Sequence, residues 1–96
     1  MATLDEITDR REEILRIARR HGARNVRLFG SIVRGEARGQ SDLDVLVELE
    51  EGRSLLDHVA LKQDLEDLLD CEVDVVTEKA LHRLLRDRVT KEAVPL

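Results

Sequence analysis

A chain of 96 residues and 11.0 kDa has room for one small domain. Hydrophobic residues make up 42% of it, enough to fill a modest core, which excludes a wholly disordered chain. Sixteen basic against 21 acidic residues leave a net charge of −5, and Phe29 is the one aromatic; both argue against a general nucleic-acid binder, which depends on phosphate contacts and stacking rings.

The first predicted element is a helix over Thr3 to His21. Leu4, Ile7, Ile14, Ile17 and Ala18 form its apolar stripe, Asp5 and Glu6 come early, and Arg19, Arg20 and His21 come late, as the helix dipole favours. Gly22 suits its C-terminal cap. Asn25 to Phe29 reads as a short strand stopped by Gly30-Ser31, followed by a short helix over Ser31 to Ala37 and a loop over 38–41. Leu43 to Leu49 is the clearest strand in the chain. Ser54 is placed to cap a helix reaching about Leu69, with Leu55, Leu61, Leu65, Leu68 and Leu69 inward. Val73 to Val76 gives a third strand, and Thr77 caps a last helix carrying Leu81, Leu84, Leu85 and Val89. The order α-β-α-β-α-β-α predicts an α/β (α+β) domain over 1–96, with a small mixed sheet of three to four strands flanked by helices.

No apolar run approaches the roughly 20 residues that cross a bilayer, and the amphipathic, acidic N-terminus lacks a signal-peptide core. One cysteine, Cys71, makes neither an internal disulfide nor a Cys-based zinc site and reads as a small packed residue. The expected setting is a reducing cytoplasm.

Three groups of residues carry chemical interest. Asp42 and Asp44 open the second strand, and residues two apart on a strand share a face, with Cα atoms about 6.6 Å apart. Such a pair holds a hard cation, or is simply a wetted strand end. Asp74 interrupts an apolar strand, where a buried charge is costly unless paired or metal-bound. If the third strand lies beside the second, Asp74 joins the pair in an all-oxygen site suited to Mg²⁺ or Mn²⁺; the plain alternative is an Asp74 facing out on an edge strand. Gly30-Ser31, at a strand-to-helix corner, offers unpaired N–H groups and a hydroxyl to a phosphate, with Arg34 one turn on, although a Gly-Ser pair also marks ordinary turns.

Gly30-Ser31-Ile32-Val33-Arg34-Gly35, then Ser41-Asp42-Leu43-Asp44, then Asp74, resembles the signature of the polymerase-β-type nucleotidyltransferases, most closely the minimal nucleotidyltransferases (MNT) that pair with HEPN toxins. The resemblance spans nearly the whole chain. It implies a polymerase-β-like core, Asp42, Asp44 and Asp74 as the catalytic metal-binding triad, and Gly30, Ser31 and Arg34 as nucleotide-phosphate contacts. It also implies ATP as substrate, Mg²⁺ as cofactor, and a HEPN toxin as partner, with AMP moved to a tyrosine hydroxyl so that the chain acts as an antitoxin. Larger members carry a further helical domain for which too few residues remain after Leu85, so the acceptor side is expected to come from the partner.

Two other functions fit the same motifs. One is a non-catalytic antitoxin that occludes the toxin; the other is a small-molecule, antibiotic-type nucleotidyltransferase. His21, His58 and His82 lack ligand spacing and are expected on helix surfaces. Arg83, Arg86, Arg88 and Lys91 are expected on a solvated helix face or a partner contact, and Ala93, Val94 and Leu96 are leftover apolar surface for a partner.

Overall fold

The structure is a computed structural model that describes residues 3–34, 43–81 and 83–96, the side chains of 83–85 excepted. Helices α1 (Leu4–Asp9) and α2 (Arg11–Arg20) lead into strand β1 (Ala23–Phe29) and the single turn α3 (Ser31–Arg34). Strand β2 (Leu43–Leu49), helix α4 (Leu55–Leu69) and strand β3 (Val73–Thr77) follow, then a 3₁₀ turn (Glu78–Ala80), helix α5 (Arg83–Glu92) and strand β4 (Val94–Pro95). The sheet order is β3-β2-β1-β4, with β2 and β3 parallel and the other pairs antiparallel. The parallel pair is joined by α4, the connection such a pair requires.

Strand alternation divides the sheet into two faces. Leu28, Leu43, Val45, Val47, Val73 and Val75 point one way and are buried with Ile7, Ile14 and Ala18 of α1 and α2 and Leu61 and Leu65 of α4. The other face carries Arg27, Asp44, Glu48 and Asp74 around a fully buried Leu46, where the 3₁₀ turn packs on β2. The helix-covered core is on one face, and the remaining face sets these charged groups among Phe29, Leu46 and Val76.

Both sheet edges are blunted. On β3, the Val73 N–H donates to Glu66 Oε2 (3.1 Å) and the Val75 carbonyl lies 2.6 Å from His58 Nε2. On the other side, β4 is two residues long and contains Pro95, which has no N–H to offer. No helix among the described residues is long and apolar enough to cross a membrane.

Several sequence expectations need correction. The first helix is two helices: the chain leaves helical geometry at Arg10 (φ −102°, ψ 17°), after Thr8 has turned its hydroxyl back onto the Leu4 carbonyl (2.8 Å), a bond that bends helices. Strand β1 starts at Ala23 rather than Asn25, because Asn25 (φ 51°) forms a bulge between the Arg24 and Arg27 pairings. Leu55 does not face inward; it is the first residue after the Ser54 cap, in the exposed first turn of α4, and is 74% exposed. Thr77 makes no side-chain cap: the Leu81 N–H closes the 3₁₀ turn on the Glu78 carbonyl, and Leu81 is extended (φ −68°, ψ 128°) before α5 starts.

The C-terminal apolar residues are not simply leftover surface. Val94 pairs with Leu28, and Leu96 packs against the core and donates its N–H to the Val26 carbonyl (3.0 Å), while Val94 stays 40% exposed. His21 and His58 are half-buried ties between elements rather than surface residues: His21 Nε2 lies 2.6 Å from Asp64 Oδ2, joining α2 to α4. Cys71 packs against the core, as expected. Arg86, Arg88 and Lys91 lie on an exposed face of α5. The loop over 38–41, His82 and the side chains of Arg83, Leu84 and Leu85 lie outside the described residues.

Candidate active site

The site builds from the end of β1. Gly30 takes φ +79°, a left-handed conformation that side chains resist, and turns the chain into α3. A Cβ built on Gly30 would lie 2.3 Å from Asp44 Oδ2, so a side chain there would strike the Asp44 carboxylate. Backbone conformation and close approach thus each require glycine. The same corner buries Ser31 (8% exposed), and the N–H groups of Val33 and Arg34 bond the Gly30 carbonyl (3.2 and 3.3 Å).

β2 supplies Asp44 from the sheet face opposite the core. The parallel register sets Asp44 directly opposite Asp74, with Leu43 opposite Val73 and Val45 opposite Val75. Directly paired residues share a face, so the two carboxylates lie side by side on strands about 4.8 Å apart. Asp44 is half-buried beneath Gly30; Asp74 is exposed on the edge strand. Of the two readings of Asp74, the plain one holds and the buried one does not: on this strand Val73 and Val75 alternate inward and Asp74 alternates outward. Its place rests on register, not on desolvation.

Asp42 lies outside the described residues, as do Gly35 and Ser41. Among the described residues no third His, Cys, Asp or Glu joins Asp44 and Asp74 in a metal-holding group. The donor set present is nonetheless of the right kind for a hard divalent cation. It consists of carboxylate oxygens on one face, one of them beside a glycine whose missing Cβ leaves room for it.

Charges around the site are organised by ion pairs. Arg34 Nη1 donates to Glu92 Oε1 at the end of α5, so the expected phosphate contact is engaged by a carboxylate that sequence reasoning missed. The two residues are 58 positions apart, and no local pattern reports such a pairing. Arg27, 8% exposed, has Nη2 3.3 Å from Glu78 Oε2, but the alignment is not that of a hydrogen bond, and its Nε donates to the Asn25 carbonyl (3.1 Å). Glu78 also accepts a long contact from Arg86 (3.9 Å). Hydrogen bonding to Glu78, then to Asn25, holds the Glu48 carboxyl below its ordinary range. Near the edge strand, the Glu66 carboxylate hydrogen-bonded to Lys62 raises that ammonium's pKa, and the charges of Glu72 and Asp74 add to the effect.

Residues 11–96 match the family model of the nucleotidyltransferase domain. The chain belongs to that family. It is 47% identical over 88 residues to a Methanocaldococcus jannaschii protein assigned to the protein adenylyltransferases, covering 92% of this chain and 95% of that one. It is 41% identical over 99 residues to the protein adenylyltransferase MntA of Thermococcus cleftensis, covering 98% and 96%. A solved structure assigned as a minimal nucleotidyltransferase superposes with a TM-score of 0.87 at 54% identity, over 99% of this chain and 97% of that one. A chain from the solved complex of a tri-AMPylated Shewanella oneidensis HEPN toxin with its MNT antitoxin matches with a TM-score of 0.70 over 92% of this chain and 69% of that one. At 21% identity that likeness is one of fold. The four-stranded mixed sheet with its flanking helices is the minimal nucleotidyltransferase fold.

Proposed function

We propose that this nucleotidyltransferase moves AMP from ATP to a hydroxyl, a tyrosine side chain, on a HEPN-domain toxin and so acts as its antitoxin in the cytoplasm. The observation that carries the reading is the corner at which Gly30 meets Asp44, with Asp44 in register with Asp74. The adenylyltransferase names of relatives that match nearly end to end supply the reaction class.

In this reading Gly30, Ser31 and Arg34 hold the nucleotide phosphates. Gly30 admits an oxyanion close to the backbone, Ser31 donates its hydroxyl, and Arg34 adds a fixed positive charge. Asp42, Asp44 and Asp74 would hold Mg²⁺, which would supply positive charge to neutralise the phosphates and the leaving pyrophosphate. Asp44 is half-buried against the Gly30 corner assigned to the phosphates, and Asp74 is exposed at the edge strand, where an acceptor has access. The acceptor oxygen forms a bond to the α-phosphorus, the bond to pyrophosphate breaks, and the hydroxyl proton passes to solvent, its loss favoured by the Asp74 carboxylate.

The test mixes α-labelled ATP, Mg²⁺, this protein and its HEPN partner. Label on the partner, lost with EDTA and with Asp44→Ala, supports the reading; no label from a well-folded mixture overturns it. A variant lacking all three aspartates that still neutralises the toxin at normal expression assigns neutralisation to binding alone. Label on an aminoglycoside but not on the protein partner assigns a small-molecule acceptor.

A further inference from the structure

We infer that Glu92 is a positioning residue of the nucleotide site: it holds the Arg34 guanidinium as a resident counter-anion and so sets how tightly a nucleoside triphosphate binds. The inference rests on the reading of Arg34 as a phosphate contact. Arg34 ends α3, and its N–H bonds the Gly30 carbonyl, so its side chain grows from the corner that meets Asp44. Arg34 Nη1 donates to Glu92 Oε1.

Glu92 is delivered to this place by the fold. It is the last residue of α5, where the helix carbonyls make a carboxylate unfavourable, and the Arg34 cation offsets that repulsion. The chain after it is fixed: the Ala93 N–H bonds the Val89 carbonyl (2.8 Å), Val94 pairs with Leu28, and Leu96 bonds Val26. The Glu92 side chain is 23% exposed against 43% for Arg34, so the carboxylate is the more enclosed partner.

A triphosphate brings its own oxyanions to Arg34. It must displace the Glu92 carboxylate or lie beside it, and in both cases the Glu92 charge opposes binding. Glutamine has nearly the same size and keeps an oxygen to accept from Arg34, but removes that charge.

Calorimetric titration with ATP and Mg²⁺ tests this. Glu92→Gln is expected to bind about threefold to fivefold tighter than the parent, the scale of a half-exposed ion pair. In steady-state transfer the gain falls in KM and not as a rise in kcat. Glu92→Asp, which keeps the charge, retains parental affinity, and Glu92→Ala replaces the glutamine arm if that variant fails to fold. Arg34→Ala weakens ATP binding, and in that background Glu92→Gln adds nothing. Equal or weaker ATP binding by Glu92→Gln overturns the inference, as does a gain that persists undiminished without Arg34. Full ATP affinity in Arg34→Ala removes Arg34 from the phosphates, and the inference falls with it. A parent protein that binds no ATP overturns the nucleotidyltransfer reading itself, a result distinct from the others.

Discussion

The two faces of one sheet are built from alternate residues of the same strands, yet they answer to different physics. On the helix-covered face, Leu43, Val45 and Val47 of β2 and Val73 and Val75 of β3 are buried in a single apolar cluster. On the other, the same strands present Asp44, Glu48 and Asp74, with Arg27 from β1. The core determines the site: the apolar contacts fix the register, and the register sets Asp44 opposite Asp74. A slip of one residue would exchange the faces and destroy both.

The largest expected effect is on the charged face. Asp44→Asn should lower AMP transfer roughly a thousandfold or more, about 4 kcal/mol in the barrier, with little change in the thermal unfolding midpoint. Paired activity and melting measurements check this; a variant that melts early instead would move Asp44 from chemistry to structure.

The apolar face should respond in the opposite way. Leu65→Ala removes a side chain that is 1% exposed and should cost about 2–5 kcal/mol of stability, read by denaturant unfolding. Transfer at a temperature where that variant is folded should stay near the parent's, because Leu65 touches neither carboxylate's face.

Gly30→Ala should bridge the two classes. Its φ of +79° costs about 1–2 kcal/mol for a residue with a Cβ, and the added atom pushes on Asp44 Oδ2. A modest fall in melting temperature together with a large fall in transfer is expected. A loss of stability alone would separate the corner from the chemistry.

The smallest effect is on pH dependence and lies away from both faces. Lys62, and after it the Val73 N–H, holds the Glu66 carboxyl below its ordinary range; the Ser54 N–H does the same to Asp57 at the start of α4. A depressed folded-state pKa contributes stability above the unfolded value and loses it as pH falls through the folded one. Stability should therefore decline below about pH 4, and Glu66→Gln and Asp57→Asn should each flatten that decline, as melting curves between about pH 6 and 3 would show.

Much of this was legible in the sequence because it is local. The apolar, β-branched run LDVLVEL marked β2, and Ser54 as a cap with Leu61 and Leu65 inward marked α4. The Gly30-Ser31 corner announced itself by residue type. The rest was hidden because it depends on distant partners. Asp74 among apolar neighbours read equally as buried or as outward on an edge strand, and only the sheet order decides for outward. Val94 and Leu96 looked like free apolar surface until β1 was there to pair with β4. Glu92 carries no local mark at all; its link to Arg34 exists only after α5 has folded back toward the corner.

Whether Asp44 and Asp74 act as one unit beside the Gly30 corner can be read from single-turnover transfer of the α-phosphate from ATP. The parent, Asp44→Asn, Asp74→Asn and the double variant would be compared. Strong loss in each single variant, with the double variant little worse than the poorer single, is predicted for residues serving one site. Near-parental transfer by Asp74→Asn would contradict it.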